Sequence, residues 1–396
     1  MIKRFGYLLL VLFTALSCRD ISDLPEYDFD DAEYINFASP EITLETRADE
    51  VSLPEGVRKG STLLSSISPN SSFGVIGYCR AKVPGSQEID NNSGTSPWSA
   101  KSQNVFPEIF LNQEVTYDGS VCRYQYSGTG EPRKWLSEAE TGTDVSGFKY
   151  TFFSYYPKDK FTVEKPQSLS DKGAPVIKYS MPFTSKDTST VLTQSDIPDV
   201  MLDAKYNLMS YDGKISFNYS HVLTALSFTV NNYSGILGDG GVVNGKELIV
   251  KNIRLKGEFW KSVRVDFSSS VVGLEFTDTY KGTYIIYDNP SGMKIPYDDV
   301  NFKPAFADQY ILLVSGKHVE GEGGMSYLGN IEVVIDYVFG GKDDTFRTGR
   351  PGTFVPVPGT MYQAQLNFVG DAFVLQFVNA NGEVWEEGSD SDITFE

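Results

Sequence analysis

The sequence predicts an all-β protein. Aromatic residues make up 13% of its 396 residues, with 26 Phe and 23 Tyr, and aromatic and β-branched side chains favour strands. Short apolar runs alternate with polar residues at a period of two, and Gly, Pro, Asn and Asp separate them. We find no long segment with the apolar spacing of a helix. Regular short strands at a spacing of roughly 8–12 residues favour β-sandwiches.

Residues 1–17 have the features of a bacterial export signal. Lys3 and Arg4 precede a short apolar run, which ends in small residues. The run is shorter than the ~20 residues that a membrane-spanning helix needs. Cys18 follows at the place where lipoprotein precursors carry an acylated cysteine, and acyl chains contribute ~0.8 kcal/mol of membrane affinity per buried methylene. We therefore predict lipidation at Cys18; an ordinary secretory signal with an incidental cysteine is the alternative.

Residues 18–47 combine an acidic tether with two short strand-like runs. Apolar and polar side chains alternate within each run, so each has one apolar face. Arg47 and Ala48 follow directly, and a trypsin-like protease that cuts between them would release the preceding segment. The sequence therefore predicts a removable first strand. Its apolar side chains are Ile35, Phe37, Ile42 and Leu44.

The remaining strands fall into two groups of similar length. In the first group we predict a strand at 73–78, a hairpin at 115–126 that turns at Asp118-Gly119, and a central strand at 148–157, which is aromatic on both faces. A linker-like stretch places a domain boundary near 205–212. We therefore expect one β-sandwich over residues 48–208 and a second over residues 209–396. The predicted strands of the second half are 214–219, 226–230, 247–256, 262–267, 283–287, 310–314, 331–339, 362–369 and 373–378.

Charge and cysteine content limit the function classes. The formal net charge is −18, which argues against nucleic-acid binding because phosphate recognition needs clustered Lys and Arg. If Cys18 is acylated, Cys79 and Cys122 remain. An oxidising compartment permits a disulfide between them, and two buried free thiols are equally compatible with the sequence.

Motifs for enzymatic chemistry are missing from the sequence. Only His221 and His318 are present, and no HExxH, GxSxG or P-loop pattern occurs. His221 lies between two apolar runs, which favours a packed core histidine over a catalytic base. The acidic residues of the C-terminal tail favour a solvated segment over a calcium site. We expect no enzyme activity, cofactor or metal.

Several short motifs occur in an order that resembles the fimbrillin family, the pilins of Bacteroidetes-type (type V) pili. They are the signal with Cys18, the Thr46-Arg47-Ala48 site, residues 73–78, 152–157, 199–204 and 217–224, and Trp385. The resemblance implies two tandem transthyretin-like β-sandwiches with Greek-key connections. It also implies export as a surface-exposed outer-membrane lipoprotein.

The same resemblance implies assembly by donor-strand exchange. An arginine-specific protease would cut after Arg47, with Arg58 as a second candidate, and remove the first strand. A strand from the C-terminal end of another subunit would then fill the groove. The alternative is that this tail completes its own sandwich, as we expect for Phe373, Leu375 and Phe377. The candidate donor residues are Val384, Trp385, Ile393 and Phe395.

The sequence thus predicts a structural pilin of the fimbrium, polymerised with other pilin subunits and supporting adhesion. A pilus tip subunit that binds host protein or glycan is one alternative. An anchor subunit that keeps its lipid, or a free surface lipoprotein, is another. The tail and the N-terminus distinguish these alternatives, because a tip subunit has no need to donate a strand and an anchor keeps Cys18.

Overall fold

The structure is a computed structural model. It describes residues 33–42, 67–80, 105–126, 130–142, 144–145, 147–186, 188–210, 212–234, 247–268, 273–297, 299, 302–306, 310–314, 332–347, 359, 361–379 and 392–393. Nearly all regular structure in these ranges is β, which confirms the predicted fold class. Within them, no helix is long and apolar enough to cross a membrane.

The strands of the described residues are numbered in chain order. In the first half they are β1 (Glu41–Ile42), β2 (Ser71–Arg80), β3 (Phe110–Tyr117), β4 (Cys122–Arg123), β5 (Lys149–Tyr156), β6 (Phe161–Lys165), β7 (Val176–Ser180), β8 (Thr190–Leu192) and β9 (Met201–Leu208). In the second half they are β10 (Asn218–His221), β11 (Thr224–Tyr233), β12 (Leu248–Asp266), β13 (Gly273–Ile295), β14 (Tyr310–Leu313), β15 (Glu332–Phe339), β16 (Lys342–Arg347), β17 (Met361–Val369), β18 (Ala372–Asn379) and β19 (Asp392–Ile393). The helical turns are α1 (Glu138–Thr141) and two 3-10 turns, Lys158–Lys160 and Gln194–Asp196.

The first sheet has seven strands in the order β1-β10-β9-β5-β2-β3-β4. Strand β5 lies at its centre, as the aromatic run predicts, and every residue of β5 except Lys149 is buried. Alternate side chains serve different cores: Phe153 and Tyr155 join one apolar cluster, while Phe152 and Tyr156 join another. Both faces of the strand are covered, which explains why apolar residues do not alternate with polar ones along it.

The second and third sheets form the rest of the fold. One has the order β14-β11-β17-β18-β19; the other has the order β16-β15-β12-β13-β8, with β7 also paired to β12 and β6 to β7. The sequence predicts separate strands at 247–256 and 262–267, but β12 is continuous through both. Its partner on one side changes from β15 to β7, while β13 pairs along its length on the other side. Continuous pairing with β13 keeps the intervening residues 257–261 extended.

Strand pairing crosses the predicted domain boundary. Strand β10 follows residue 208 in the chain but pairs with β9 in the first sheet, and β7 precedes that boundary but pairs with β12. One apolar cluster contains buried residues from Ile76 to Leu375. The division into 48–208 and 209–396, like the tandem arrangement, stays a prediction. Alternation along one strand identifies its buried face but not its partner, so the sequence could not reveal these pairings.

Candidate functional site

Residues 33–42, here called the strap, lie against the first sheet beside β10. The strap runs parallel to the residues that lead into β10 and to β10 itself, with Phe37 opposite Ile215 and Ile42 opposite Tyr219. The Ile215 amide donates to the Asn36 carbonyl at 2.8 Å, and the Ala38 amide donates to the Ile215 carbonyl at 2.9 Å. These bonds give the strap the pairing of a sheet strand although only Glu41–Ile42 is a regular one.

The opposite side of the strap contacts the segment that follows β4. The Ile35 amide donates to the Arg133 carbonyl at 2.8 Å, and the Trp135 amide donates to the Glu33 carbonyl at 3.1 Å. Further along, the Cys122 thiol lies 3.3 Å from the Ala38 carbonyl. Strands β10 and β4 belong to opposite ends of the first sheet. The strap therefore connects the two ends and closes the sheet over one face.

The Phe37 ring fills an aromatic pocket under the strap. Its centroid lies 5.8 Å from that of Phe217, with the two rings nearly parallel, and 5.6 Å from that of Tyr124. Phe73 and Phe110 complete the pocket at 6.0 and 6.1 Å. Phe37 is only 5% exposed. Aromatic pairs at such distances stabilise by about 0.5–1.5 kcal/mol each beyond the burial of their area.

Ile35 lies in the adjoining part of the same cluster and has no exposed surface. The Tyr124 hydroxyl donates to the Ile35 carbonyl at 2.6 Å, and the Arg133 amide donates to the Tyr124 oxygen at 3.1 Å. Burial raises the pKa of Tyr124 well above its usual range, so the hydroxyl keeps its proton. The strap backbone is thereby held from below as well as from both sides. We call the space that the strap fills the groove.

The structure brings together only part of the predicted site. Ile35 and Phe37 are buried side by side, and Ile42 is half-buried against the same cluster. The backbone of Ile393 pairs with Leu375 at the edge of β18. The other predicted residues lie outside the described part of the chain. They are Cys18, Leu44, Arg47, Ala48, Arg58, Val384, Trp385 and Phe395.

The walls of the groove were not predicted from the sequence. Tyr124, Trp135 and Phe217 are aromatic, as strand residues often are, but all three are far from the strap along the chain. The one sequence signal for a wall of the groove was the alternation of Ile215 and Phe217, which indicated a strand with one buried face. Nothing local indicated that this face belongs under residues 33–42.

Other candidate chemistry is limited in the described residues. No three His, Cys, Asp or Glu side chains among them come together as a metal site. His221 is half-buried, and its imidazole, which is 7% exposed, has its Nδ1 atom 2.9 Å from Oδ1 of the buried Asp199. That position agrees with the predicted packed histidine.

Cys79 and Cys122 are not joined in a disulfide, and both are buried. This decides between the two alternatives that the sequence left open. Burial, with a smaller contribution from the Asp118 carboxylate, raises the pKa of Cys122 from 9.0 to about 12. A thiol with such a pKa is almost entirely protonated near neutral pH and reacts slowly.

Removal of the strap is expected to make Cys122 reactive while Cys79 stays protected. Exposure would return the pKa of Cys122 toward 9.0 and raise its thiolate fraction at pH 8 by up to about a thousandfold. The measurement is maleimide labelling followed by mass spectrometry of peptides, in a Cys18→Ser chain before and after the strap is displaced. Cys79, whose side chain hydrogen-bonds with that of Tyr150 in β5, is the internal control. Equal labelling of both thiols would show general unfolding and contradict the prediction.

Comparison with known proteins gives structural similarities only. No family model matches the sequence, and no curated protein matches it. Among solved structures, a fimbrial protein from Bacteroides vulgatus is 15% identical; the similarity covers 87% of this chain and 99% of that one, with a TM-score of 0.46. A candidate cell adhesion protein from Bacteroides ovatus is 13% identical over 92% of this chain and 99% of that one, with a TM-score of 0.41.

A third similar structure is a fimbrial assembly protein from Parabacteroides distasonis. It is 9% identical over 80% of this chain and 91% of that one, with a TM-score of 0.32. Fimbrial proteins are therefore among the solved structures to which this chain is similar.

Proposed function

We propose that the chain is a structural pilin subunit of the fimbrillin type, which polymerises when its strap is replaced by a strand of another subunit. The observation that carries the proposal is the closure of the first sheet by the strap, with Ile35 and Phe37 buried beneath it. A segment that contacts both ends of a sheet and fills its core leaves a strand-shaped apolar groove when it departs. Such a groove is suited to strand addition, in which backbone hydrogen bonds give affinity and side-chain pockets give register.

The magnitudes favour replacement over an empty groove. Burial of an Ile or Phe side chain stabilises by about 1.5–3 kcal/mol, so the two side chains contribute about 3–6 kcal/mol. The backbone bonds to Ile215 and Arg133 add about 0.5–1.5 kcal/mol each. A domain has a net stability of only about 5–15 kcal/mol. A subunit without its strap is therefore strongly driven to accept another strand.

The remaining parts of the proposal come from the sequence. Export as a lipoprotein acylated at Cys18 would bring the chain to the outer membrane. An arginine-specific protease would cut between Arg47 and Ala48 and release the strap. The C-terminal tail of another subunit, with candidate residues Val384, Trp385, Ile393 and Phe395, would supply the replacement. The chain would act as a surface fimbrium subunit that supports adhesion.

Cleavage after Arg47 is expected to start polymerisation. Purified full-length Cys18→Ser protein is incubated with a catalytic amount of arginine-specific protease at native pH, and products are followed by gel filtration and by N-terminal sequencing. We expect a new N-terminus at Ala48 and a ladder of oligomers. Arg47→Gln should suppress both, whereas Arg58→Gln, the matched control, should not.

Two results would contradict the proposal. One is a cleaved chain that loses residues 33–47 and stays a folded monomer, because the groove would then need no replacement. The other is oligomers of equal amount in the uncleaved chain, because assembly would then be independent of the strap. If Arg58→Gln suppresses the ladder of oligomers and Arg47→Gln does not, the cleavage site is Arg58, and the proposed strand exchange is unaffected.

A further inference from the structure

The last residues of the chain repeat the spacing of the deepest part of the strap. Ile35-Asn36-Phe37 places an isoleucine and a phenylalanine on one face with a polar residue between them, and Ile393-Thr394-Phe395 does the same. A third copy of the pattern, 215–217, is itself a wall of the groove, with Ile215 and Phe217 buried. Of the C-terminal copy the structure describes only Ile393, whose backbone pairs with β18 and not with the first sheet.

We propose that Ile393 and Phe395 of a second copy of this chain occupy the positions of Ile35 and Phe37, with Thr394 in the place of Asn36. The inference rests on the proposed function and assigns the register of the exchanged strand. It also separates the two parts of the candidate donor tail: residues 393–395 enter the groove, and Val384 and Trp385 do not.

The backbone of the groove accepts this segment without any change of partner. In the proposed register, the Thr394 carbonyl accepts from the Ile215 amide, as Asn36 does now at 2.8 Å. The Ile393 amide donates to the Arg133 carbonyl, which Ile35 does at 2.8 Å. The Tyr124 hydroxyl donates to the Ile393 carbonyl, as it now does to Ile35 at 2.6 Å. None of these bonds depends on the identity of the incoming side chain.

Charge at the entrance of the groove also suits the tail. Tyr34 of the strap lies opposite Lys134 in an antiparallel bridge, and the Lys134 ammonium pairs with the Glu33 carboxylate at 2.8 Å. In the proposed register Asp392 takes the place of Tyr34. Its carboxylate then faces Lys134, which has lost Glu33 together with the strap.

A second register is suggested by sequence but disfavoured by burial. Residues 392–396 (DITFE) also match residues 41–45 (EITLE), which begin in the strap and continue past its end. That alignment would place Ile393 at Ile42, which is only half-buried, and would bring Glu386 and Gly388 to the enclosed positions of Ile35 and Phe37. An unpaired carboxylate buried among aromatic rings is strongly unfavourable, and a glycine would leave the Phe37 pocket empty.

Of residues 380–396, the structure describes the backbone of Asp392 and Ile393. Asp392 and Ile393 pair with Gln376 and Leu375 at the outer side of β18, in an antiparallel match of two residues. Strand β19 ends the order of its sheet. Transfer of this segment to the groove of a neighbour would exchange these two residue pairs for the pairing that the strap now makes.

The test uses the full-length Cys18→Ser chain, cut after Arg47, with substitutions in the tail. Ile393→Ala and Phe395→Ala are each expected to reduce the amount of oligomer at least about tenfold, because each removes most of a buried side chain. Phe395→Leu should restore most of the assembly. Ser389→Ala, a control in the same tail that lies outside the candidate donor residues, should leave it unchanged. Unaltered thermal unfolding before cleavage verifies that each variant is folded.

A charge exchange tests the register itself. Lys134→Glu should weaken assembly, and Asp392→Lys in the same chain should restore it, since the two residues face each other only in the proposed register. Failure of this rescue, together with normal assembly of the Ile393→Ala, Phe395→Ala double variant, would overturn the inference. Loss of assembly in Val384→Ala and Trp385→Ala variants would also overturn it while leaving the proposed function intact.

Two other outcomes separate the inference from its premise. If the cut wild-type chain forms no oligomers and leaves Cys122 open to maleimide, the proposed function fails and the inference with it. If the cut chain stays a monomer in which Cys122 is protected only when Ile393 and Phe395 are present, the tail fills its own groove. That result would overturn the assignment to a second copy.

Discussion

Phe37→Ala is expected to lower the free energy of unfolding by about 3–5 kcal/mol, the range found for removal of a buried phenylalanine. The ring is 5% exposed and contacts four aromatic side chains. Truncation removes those contacts and leaves a cavity that the surrounding rings, fixed on four different segments, cannot easily fill. The measurement is urea denaturation of the full-length Cys18→Ser chain, with the midpoint compared at constant m-value.

The matched control for this substitution is Leu169→Ala, which removes an apolar side chain of similar size at a site that is 57% exposed. Surface substitutions away from packed features usually change stability by less than about 0.5 kcal/mol. Equal midpoints for the two variants would mean that the strap is not part of the folded core. Removal of the strap would then open no apolar groove, and the main support for strand exchange would be lost.

The apolar face of the strap is the part of the site that the sequence could predict. Ile35 and Phe37 alternate with polar neighbours, and this period of two is a local property of the chain. The same reasoning identified the central strand β5 and the hairpin at Asp118-Gly119, where β3 and β4 pair across the turn. In each case the relevant information lies within about ten residues.

The pairing partners of the strap and the direction in which it runs could not be predicted, because they depend on segments that are distant in the sequence. The strap pairs in parallel with Ile215 on one side and contacts Arg133 on the other. Nothing in the sequence of either segment indicates that it pairs with residues 33–42. The fate of Cys79 and Cys122 was open for the same reason, since a disulfide depends on the distance between two strands. The sequence predicted two strands where β12 is one. The two predicted strands correspond to the parts of β12 that pair with β15 and with β7, and the backbone continues between them without a break.

Deletion of residues 33–45 is expected to destabilise the chain more than Phe37→Ala does. The deletion removes both enclosed side chains, worth about 3–6 kcal/mol, and the backbone bonds to Ile215, Phe217 and Arg133, worth about 0.5–1.5 kcal/mol each. The sum is comparable with the whole net stability of a domain, about 5–15 kcal/mol. We therefore expect a chain that unfolds or associates unless the groove is filled in trans.

A synthetic peptide with the sequence of residues 33–45 is expected to restore the deleted chain. The chain is refolded with and without the peptide, and recovery is followed by the thermal unfolding midpoint and by protection of Cys122 from maleimide. Stabilisation should rise with peptide concentration, because a ligand that binds only the folded state shifts the equilibrium by mass action. A peptide with Phe37→Ala should bind at least about a hundredfold more weakly, since about 3 kcal/mol corresponds to that factor.

A peptide of the same composition in scrambled order is the control for non-specific apolar binding. It keeps the hydrophobicity of the strap but loses the spacing that puts Ile35 and Phe37 on one face. If it restored Cys122 protection as well as the native peptide, the groove would be a general apolar surface without a register. A deleted chain as stable as the intact one would contradict the closure of the sheet by the strap. Restoration by the native order alone would show that the groove recognises a strand by the positions of its side chains, which is the property that exchange between subunits requires.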